Sequence, residues 1–71
     1  MNNIKSKFGN KVRKIRKSKG LSQENFAGLA DIDRTYIADI ESGKRNVSIV
    51  IVEKIAKAFK ISISNLFSDI D

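Results

Sequence analysis

Three consecutive side chains, Arg34, Thr35 and Tyr36, carry groups that are well suited to contacting a base-paired duplex. The guanidinium of Arg34 can donate two hydrogen bonds to guanine O6 and N7, and Thr35 can contact a thymine methyl group or a phosphate. Tyr36 can stack along the sugar-phosphate wall or donate its hydroxyl. The alternatives are that Arg34 is a solvated surface charge and that Tyr36 is a half-buried filler. The chemistry that this triplet offers is the reading of DNA base edges.

Two short helices joined by a tight turn must position these side chains. Ser22 predicts the cap of a helix over about residues 22–30, and Asp33 predicts the cap of a second helix over about residues 33–42. Gly43 is suited to end the second helix because glycine adopts a positive φ without strain. This layout is typical of a helix-turn-helix, whose second helix enters the major groove of DNA. The sequence therefore predicts a DNA-binding module.

Three further helices are predicted around this pair. Apolar side chains at helical spacing define the inner faces of the first two helices: Ile4, Phe8, Val12 and Ile15, and Phe26, Leu29 and Ala30. In the fourth helix the apolar residues at helical spacing are Ile49, Val52, Ile55, Ala56 and Phe59. Residues 61–64 alternate like a strand, but a short helix capped by Ser62 is favoured because so short a strand has no partner. We expect an all-α fold, a compact five-helix bundle in which residues 1–71 form one domain.

Composition excludes several classes of protein. Lys and Arg outnumber Asp and Glu by 14 to 8, and a net charge of +6 attracts polyanions without distinguishing DNA from RNA or an anionic membrane. Cys and His are absent, so disulfides and the usual zinc ligands are excluded. There is no paired-carboxylate or glycine-rich phosphate motif. We therefore expect no enzyme activity, no cofactor, no metal and no small-molecule ligand.

The apolar runs are short, the longest being Ile49 to Val52, far below the ~18 residues of a membrane-spanning helix. The N-terminus does not resemble a secretory signal. A basic amphipathic first helix lying on a membrane is a rival hypothesis, but the apolar residues of that helix are needed by the bundle core. A cytoplasmic protein without membrane contact is expected.

The C-terminal region, about residues 48–70, has more apolar surface than one short helix can hide. The residues predicted to form a dimer interface are Ile49, Ile51, Ile63, Leu66, Phe67 and Ile70. A two-fold homodimer would bury this surface twice and place two recognition helices about 34 Å apart, one turn of DNA. The alternative is that these residues complete the monomer core.

Four segments together resemble the Cro/C1-type helix-turn-helix family of phage and bacterial regulators. They are Leu21 to Ala27, Asp33 to Ile37, Glu41 to Ser48, and Glu53 to Phe59, and the resemblance runs from about Phe8 to Phe67. It implies a phage-repressor-like DNA-binding domain. Within the family, the Asp-Arg-Thr-Tyr-Ile opening of the recognition helix is most similar to the controller proteins of restriction-modification systems.

The resemblance implies a homodimeric transcriptional regulator, bacterial or phage-encoded, that binds inverted-repeat operators in double-stranded DNA. It would activate and then repress its own gene and an endonuclease gene. RNA polymerase is a candidate partner, for which Glu24, Asp31 and Asp33 could present acidic groups, although these residues are equally caps and solubilising charges. The alternatives are a prophage-type repressor and an antitoxin whose helix-turn-helix neutralises a partner toxin.

Further contacts with DNA follow from the same resemblance. Relatives bind a phosphate with a Gln at the position of Gln23, where the helix dipole already favours an anion. Ser22 is a cap that can also contact phosphate. Lys44 and Asn46 would bind the backbone beyond the recognition helix, and Arg45 would reach into a groove to contact a base.

Arg16 and Glu41 complete the expected set of site residues. Relatives pair an Arg here with the Glu at the end of the recognition helix, which implies a largely buried ion pair between helices 1 and 3. The rest of the basic run from Lys5 to Lys19 is interpreted as a solvated face. Asp39 either reads a cytosine amino group or is tolerated at the edge of the DNA-facing surface.

Overall fold

The computed structural model describes residues 3–70, which form five helices and no strand. The elements are α1 (Ile4–Ser18), α2 (Gln23–Ala30), α3 (Arg34–Glu41), α4 (Ile49–Phe59) and α5 (Ile63–Leu66). The expected all-α fold is confirmed, and residues 63–66 form the short helix rather than a strand. None of the described helices is both long and apolar enough to cross a membrane.

Side-chain caps explain where the helices begin. Each cap is a short polar side chain that accepts a hydrogen bond from a backbone N–H of the first turn, and four of them lie before α2 to α5: Ser22, Asp33, Ser48 and Ser62. The acceptor distances are 2.9 to 3.2 Å. A missing cap costs about 1 kcal/mol, so each polar residue fixes one boundary locally.

The core lies between the helices, and each helix contributes to it. Phe26 of α2 and Phe59 of α4 stack with ring centroids 4.3 Å apart and planes inclined by 6°. The fully buried aliphatic side chains of the core come from α1, α3, α4 and α5: Val12, Ile37, Ile40, Ile55 and Leu66. Burying one such side chain contributes about 1.5 to 3 kcal/mol, so this cluster is the main source of stability.

Leu29 differs from its prediction as an inward-facing residue, because its side chain is 61% exposed. The buried face of α2 is formed instead by Phe26, Ala27 and Ala30. At 3.6 residues per turn, Leu29 lies about 60° from Phe26 on the side away from Ala27. Because Ala27 and Ala30 face the core, Leu29 faces solvent. Ile4, at the first turn of α1, is likewise 58% exposed rather than buried.

The backbones of α1 and α3 approach closely at Gly9. A Cβ atom at this position would overlap the carbonyl oxygen of Ile40 and lie 2.9 Å from that of Glu41. Gly43, just after α3, has a φ of +78° and faces Ser6 of α1 in the same way. Two glycines therefore allow α1 to lie directly against the end of α3, which sets the position of the residues that follow α3.

The segment after α4 is attached to α1. Phe8 and Phe67 stack with ring centroids 5.2 Å apart. Lys11 Nζ donates to the backbone oxygen of Ser68 at 2.6 Å and to its Oγ at 3.0 Å. The apolar C-terminal region is therefore part of the folded body, and some of its residues are used in the core.

Candidate nucleic-acid interface

The turn between α2 and α3 is held by local and long-range contacts. Asp31 ends α2 in the left-handed conformation with φ 56°, and the N–H of Ile32 donates to the oxygen of Ala27 at 3.0 Å. Ile32 is buried, and Lys54 Nζ of α4 donates to the oxygen of Asp31 at 3.4 Å. These contacts fix the angle between the two helices and so the direction in which α3 projects.

The first turn of α3 presents Arg34 and Thr35 to solvent, and both side chains are exposed. Ile37 and Ile40 are buried on the opposite face and fix the rotation of α3 about its axis. Within the part of the chain that the structure describes, the Arg34 side chain has no hydrogen bond or ion pair. The donor that best matches guanine is therefore exposed on a rigid helix.

Arg45, Tyr36 and Asp39 form a cluster on the neighbouring surface. The guanidinium carbon of Arg45 lies 4.5 Å from the centroid of the Tyr36 ring. Its Nε lies 3.4 Å from Asp39 Oδ2. The contact between Asp39 and Arg45 was not predicted, although an acidic residue one turn after Tyr36, with Gly43 reversing the chain before Arg45, is a visible signal for it.

The residues expected at phosphates lie in two groups. Ser22 is an exposed cap, and Gln23 is half-buried with its Nε2 donating to Glu41 Oε1 at 3.2 Å. Lys44 and Asn46 are exposed in the loop after α3. The amide of Gln23 is therefore directed partly into the protein, and its contact with Glu41 joins the start of α2 to the end of α3.

Arg16 and Glu41 form a bidentate ion pair between α1 and α3. Arg16 Nε and Nη2 donate to the two carboxylate oxygens of Glu41 at 2.7 and 2.9 Å, and Nη1 donates to the oxygen of Leu21 at 2.8 Å. The side chains are 9% and 4% exposed. The hydrogen bonds to Glu41 raise the pKa of Arg16 above its ordinary value, although burial acts to lower it. The pair thus orients α3 from its C-terminal end.

The residues predicted for a dimer interface divide into three groups. Ile49 is 85% and Ile63 47% exposed. The half-buried members pack against the core: Ile51, Phe67 and Ile70. Leu66 has no exposed surface, so its prediction as an interface residue is corrected; the short α5 points it into the monomer core.

Beside Ile49 lies a groove of about 260 Å³, lined also by Val52, Phe67 and the loop residues Arg45 to Val47.

Within residues 3–70 there is no cluster of three His, Cys, Asp or Glu residues that could hold a metal ion. The organised polar groups are those of the α2–α3 surface and the loop after it.

Comparison with known proteins identifies the class. The helix-turn-helix family model HTH_3 matches residues 12–66. Control protein C.MunI of Mycoplasma sp is 58% identical over 72 residues, covering 100% of this chain and 97% of the relative. Control protein C.BamHI of Bacillus amyloliquefaciens is 53% identical over 66 residues, covering 92% and 82% respectively.

Solved structures agree with this class. The restriction-modification controller protein C.AhdI from Aeromonas hydrophila is 46% identical and superposes with a TM-score of 0.86, covering 89% of this chain and 96% of that one. The C.Esp1396I controller tetramer in complex with its 35 base-pair operator is 37% identical, with a TM-score of 0.86, covering 94% and 88%. The chain belongs to the helix-turn-helix family, among the restriction-modification control proteins, which confirms the resemblance found in the sequence.

Proposed function

We propose that this chain is a homodimeric, sequence-specific regulator that acts in the cytoplasm by binding inverted-repeat operators rather than by catalysis. It would activate and repress its own gene and that of an associated endonuclease. The observation that carries the proposal is the exposed first turn of α3, where Arg34 and Thr35 project from a helix whose opposite face is buried. This is the surface that enters the major groove in helix-turn-helix proteins.

The proposed division of labour follows the chemistry of each side chain. The residues proposed to contact base edges are Arg34, Thr35, Tyr36 and Arg45. The residues proposed to contact phosphates are Ser22, Gln23, Lys44 and Asn46. Backbone contacts set position on the duplex and base contacts supply sequence information. The buried ion pair supports the recognition helix without contacting DNA.

RNA polymerase remains a candidate partner. Asp33 uses its carboxylate to cap α3, accepting from the N–H of Thr35 at 2.9 Å. Asp31 stands at the left-handed end of α2, which Asp adopts more readily than most residues. Glu24 is exposed in the first turn of α2. An activating contact would therefore use Glu24 or Asp31, because of the three acidic side chains only the Asp33 carboxylate accepts a capping hydrogen bond.

A strong dependence on salt is the first expected result. If each protomer contacts about four phosphates, the logarithm of the dimer's affinity for DNA should fall against log salt with a slope of about −7, because bound lysines and arginines release counterions from the DNA. Fluorescence anisotropy titrations at salt concentrations from about 50 to 300 mM measure this slope. A slope close to zero would contradict the proposal.

Two lysine variants test which cations contribute to this salt dependence. Lys44→Ala should make the dimer's slope shallower by about 2, one phosphate for each protomer. Lys57→Ala provides the control, because Lys57 belongs to α4, outside the helix-turn-helix and the loop after it, and its Nζ lies 4.0 Å from Glu53. We expect the control to keep the wild-type slope.

Dimerisation should depend on the C-terminal surface. Ile49→Glu is expected to give a monomer in analytical ultracentrifugation with unchanged helicity, because Ile49 is 85% exposed in the single chain. Affinity for an inverted repeat should fall about a hundred-fold or more, since the second half-site no longer binds intramolecularly. Leu29→Glu, at a 61% exposed position on α2, is the control that should remain dimeric. A dimeric Ile49→Glu protein would contradict this interface.

A further inference from the structure

The two arginines near the start and the end of the recognition surface are held differently. The exposed Arg34 projects without a partner among the described residues, whereas Arg45 lies over Tyr36 at 4.5 Å and is paired with Asp39 at 3.4 Å. The Arg45 side chain is 46% exposed and that of Asp39 is 30% exposed, so both are accessible to a duplex lying against α3. The cluster therefore belongs to the surface that we propose to bind DNA.

Asp39 lies one helical turn after Thr35, on the same side of α3. A carboxylate on this face is repelled by the phosphate backbone, and a neighbouring cation can offset that repulsion. Its contact with Arg45 supplies one, because the ion pair neutralises the carboxylate and restricts the arginine at the same time.

The geometry of the pair leaves the Nη groups of Arg45 available to donate hydrogen bonds to an external acceptor. Asp39 engages Nε alone, so the four N–H groups on Nη1 and Nη2 remain as donors. The Tyr36 ring covers one face of the guanidinium and limits its rotation. An arginine held in this way can donate a fork of hydrogen bonds to an acceptor at a defined place, but must break its contact with Asp39 to reach a phosphate elsewhere.

We propose that Asp39 is a specificity-determining residue that acts by positioning Arg45 against Tyr36 and so withholding it from non-cognate phosphates. The inference rests on the proposed function and adds to it a residue that makes discrimination depend on a contact within the protein. The Asp39–Arg45 pair would be kept on the cognate site, where the Nη groups meet their acceptor, and would lower affinity for all other DNA.

The test compares Asp39→Ala with the wild type on two probes at 0.15 M salt, about physiological ionic strength. One probe is a duplex that the wild-type protein selects from a random library, and the other is the unselected library. Release of Arg45 adds about one phosphate contact for each protomer, which predicts a salt slope on the library steeper by about 0.9 for each protomer. At 0.15 M salt, a slope steeper by about 0.9 corresponds to an affinity for the library that is about five-fold higher for each protomer. The affinity for the selected duplex should change by a smaller factor, at most about two-fold.

Two controls show whether the effect acts through Arg45. Glu53→Ala removes an equal charge from an exposed acidic side chain that is also paired with a cation, Lys57 at 4.0 Å, and should leave the ratio of the two affinities unchanged. In an Arg45→Ala background, Asp39→Ala should no longer change the slope on the library, because the residue it releases is absent.

Three results would overturn the inference. They are an equal rise on both probes, an effect of Asp39→Ala that persists without Arg45, and a fall on both probes with helicity retained in circular dichroism. The first two would assign Asp39 a direct repulsion of DNA instead. If the wild-type protein selects no sequence at all, the proposed function itself fails, and that result is distinguishable because it does not involve Asp39.

Discussion

Glu41→Ala is expected to lower the free energy of unfolding by about 3 to 5 kcal/mol, because it leaves the guanidinium of Arg16 buried without its carboxylate. Arg16 would keep only its hydrogen bond to the oxygen of Leu21. Gln23 would lose the acceptor that holds its amide at 3.2 Å. One substitution therefore loosens α1, the start of α2 and the end of α3 together.

The size of this loss matters because small domains have a total stability of only about 5 to 15 kcal/mol. We expect the variant to have a urea midpoint far below that of the wild type when helicity is followed by circular dichroism. DNA binding should fall in proportion to the folded fraction, since the base-reading residues themselves are unchanged.

Two controls separate burial from charge. Glu53→Ala removes an acid from an exposed pair on α4, where the side chains are 76% and 57% exposed, and should change stability by about 0.5 kcal/mol or less. The double variant Arg16→Met/Glu41→Met should be far more stable than Glu41→Ala, because no uncompensated charge is buried. Equal stabilities for Glu41→Ala and Glu53→Ala would show that the buried pair has no special role.

Arg34→Ala is expected to lower strongly the discrimination between cognate and random DNA while leaving the fold intact. The bidentate contact of an arginine with guanine contributes about 1 to 3 kcal/mol of discrimination, and a dimer uses it twice. The affinity for a selected duplex should therefore fall by about 2 to 6 kcal/mol, whereas affinity for the random library should change little. Stability should be preserved because the Arg34 side chain is exposed.

Lys44→Ala is the matched control for this variant. It removes an exposed cation in the loop after α3, which we expect to bind phosphate. Both duplexes should then lose affinity by a similar factor, because phosphates carry no sequence information directly. Equal losses on both duplexes for Arg34→Ala as well would show that Arg34 binds the backbone and would remove the base-reading role assigned to it.

Features of the fold that depend on a few neighbouring residues were predictable from the sequence. Caps such as Ser22, Asp33 and Ser62 fix helix starts through a hydrogen bond two or three residues along the chain. The short α5 is an instance, because its cap outweighed an alternation of apolar and polar residues that is equally typical of a strand.

Features that depend on how helices pack against one another were harder to predict. Leu29 was expected in the core and is exposed, whereas Leu66 was expected at a dimer interface and is buried in the monomer. Exposure depends on which neighbour covers each helix face and not on the spacing of apolar residues alone. The Asp39–Arg45 contact is set by the reversal of the chain at Gly43, which lies against Ser6 of α1. Such an arrangement needs the position of α1, which periodicity does not provide.

Two copies of α3, each beginning with Arg34, are proposed to enter successive major grooves of one duplex. Selection of binding sites from a random library by the wild-type protein, followed by sequencing, tests this arrangement. We expect an inverted repeat whose half-sites are centred about 10 base pairs apart, one turn of DNA, each with a guanine that Arg34→Ala no longer selects. Recovery of sequences without two-fold symmetry, or of no preferred sequence, would contradict it.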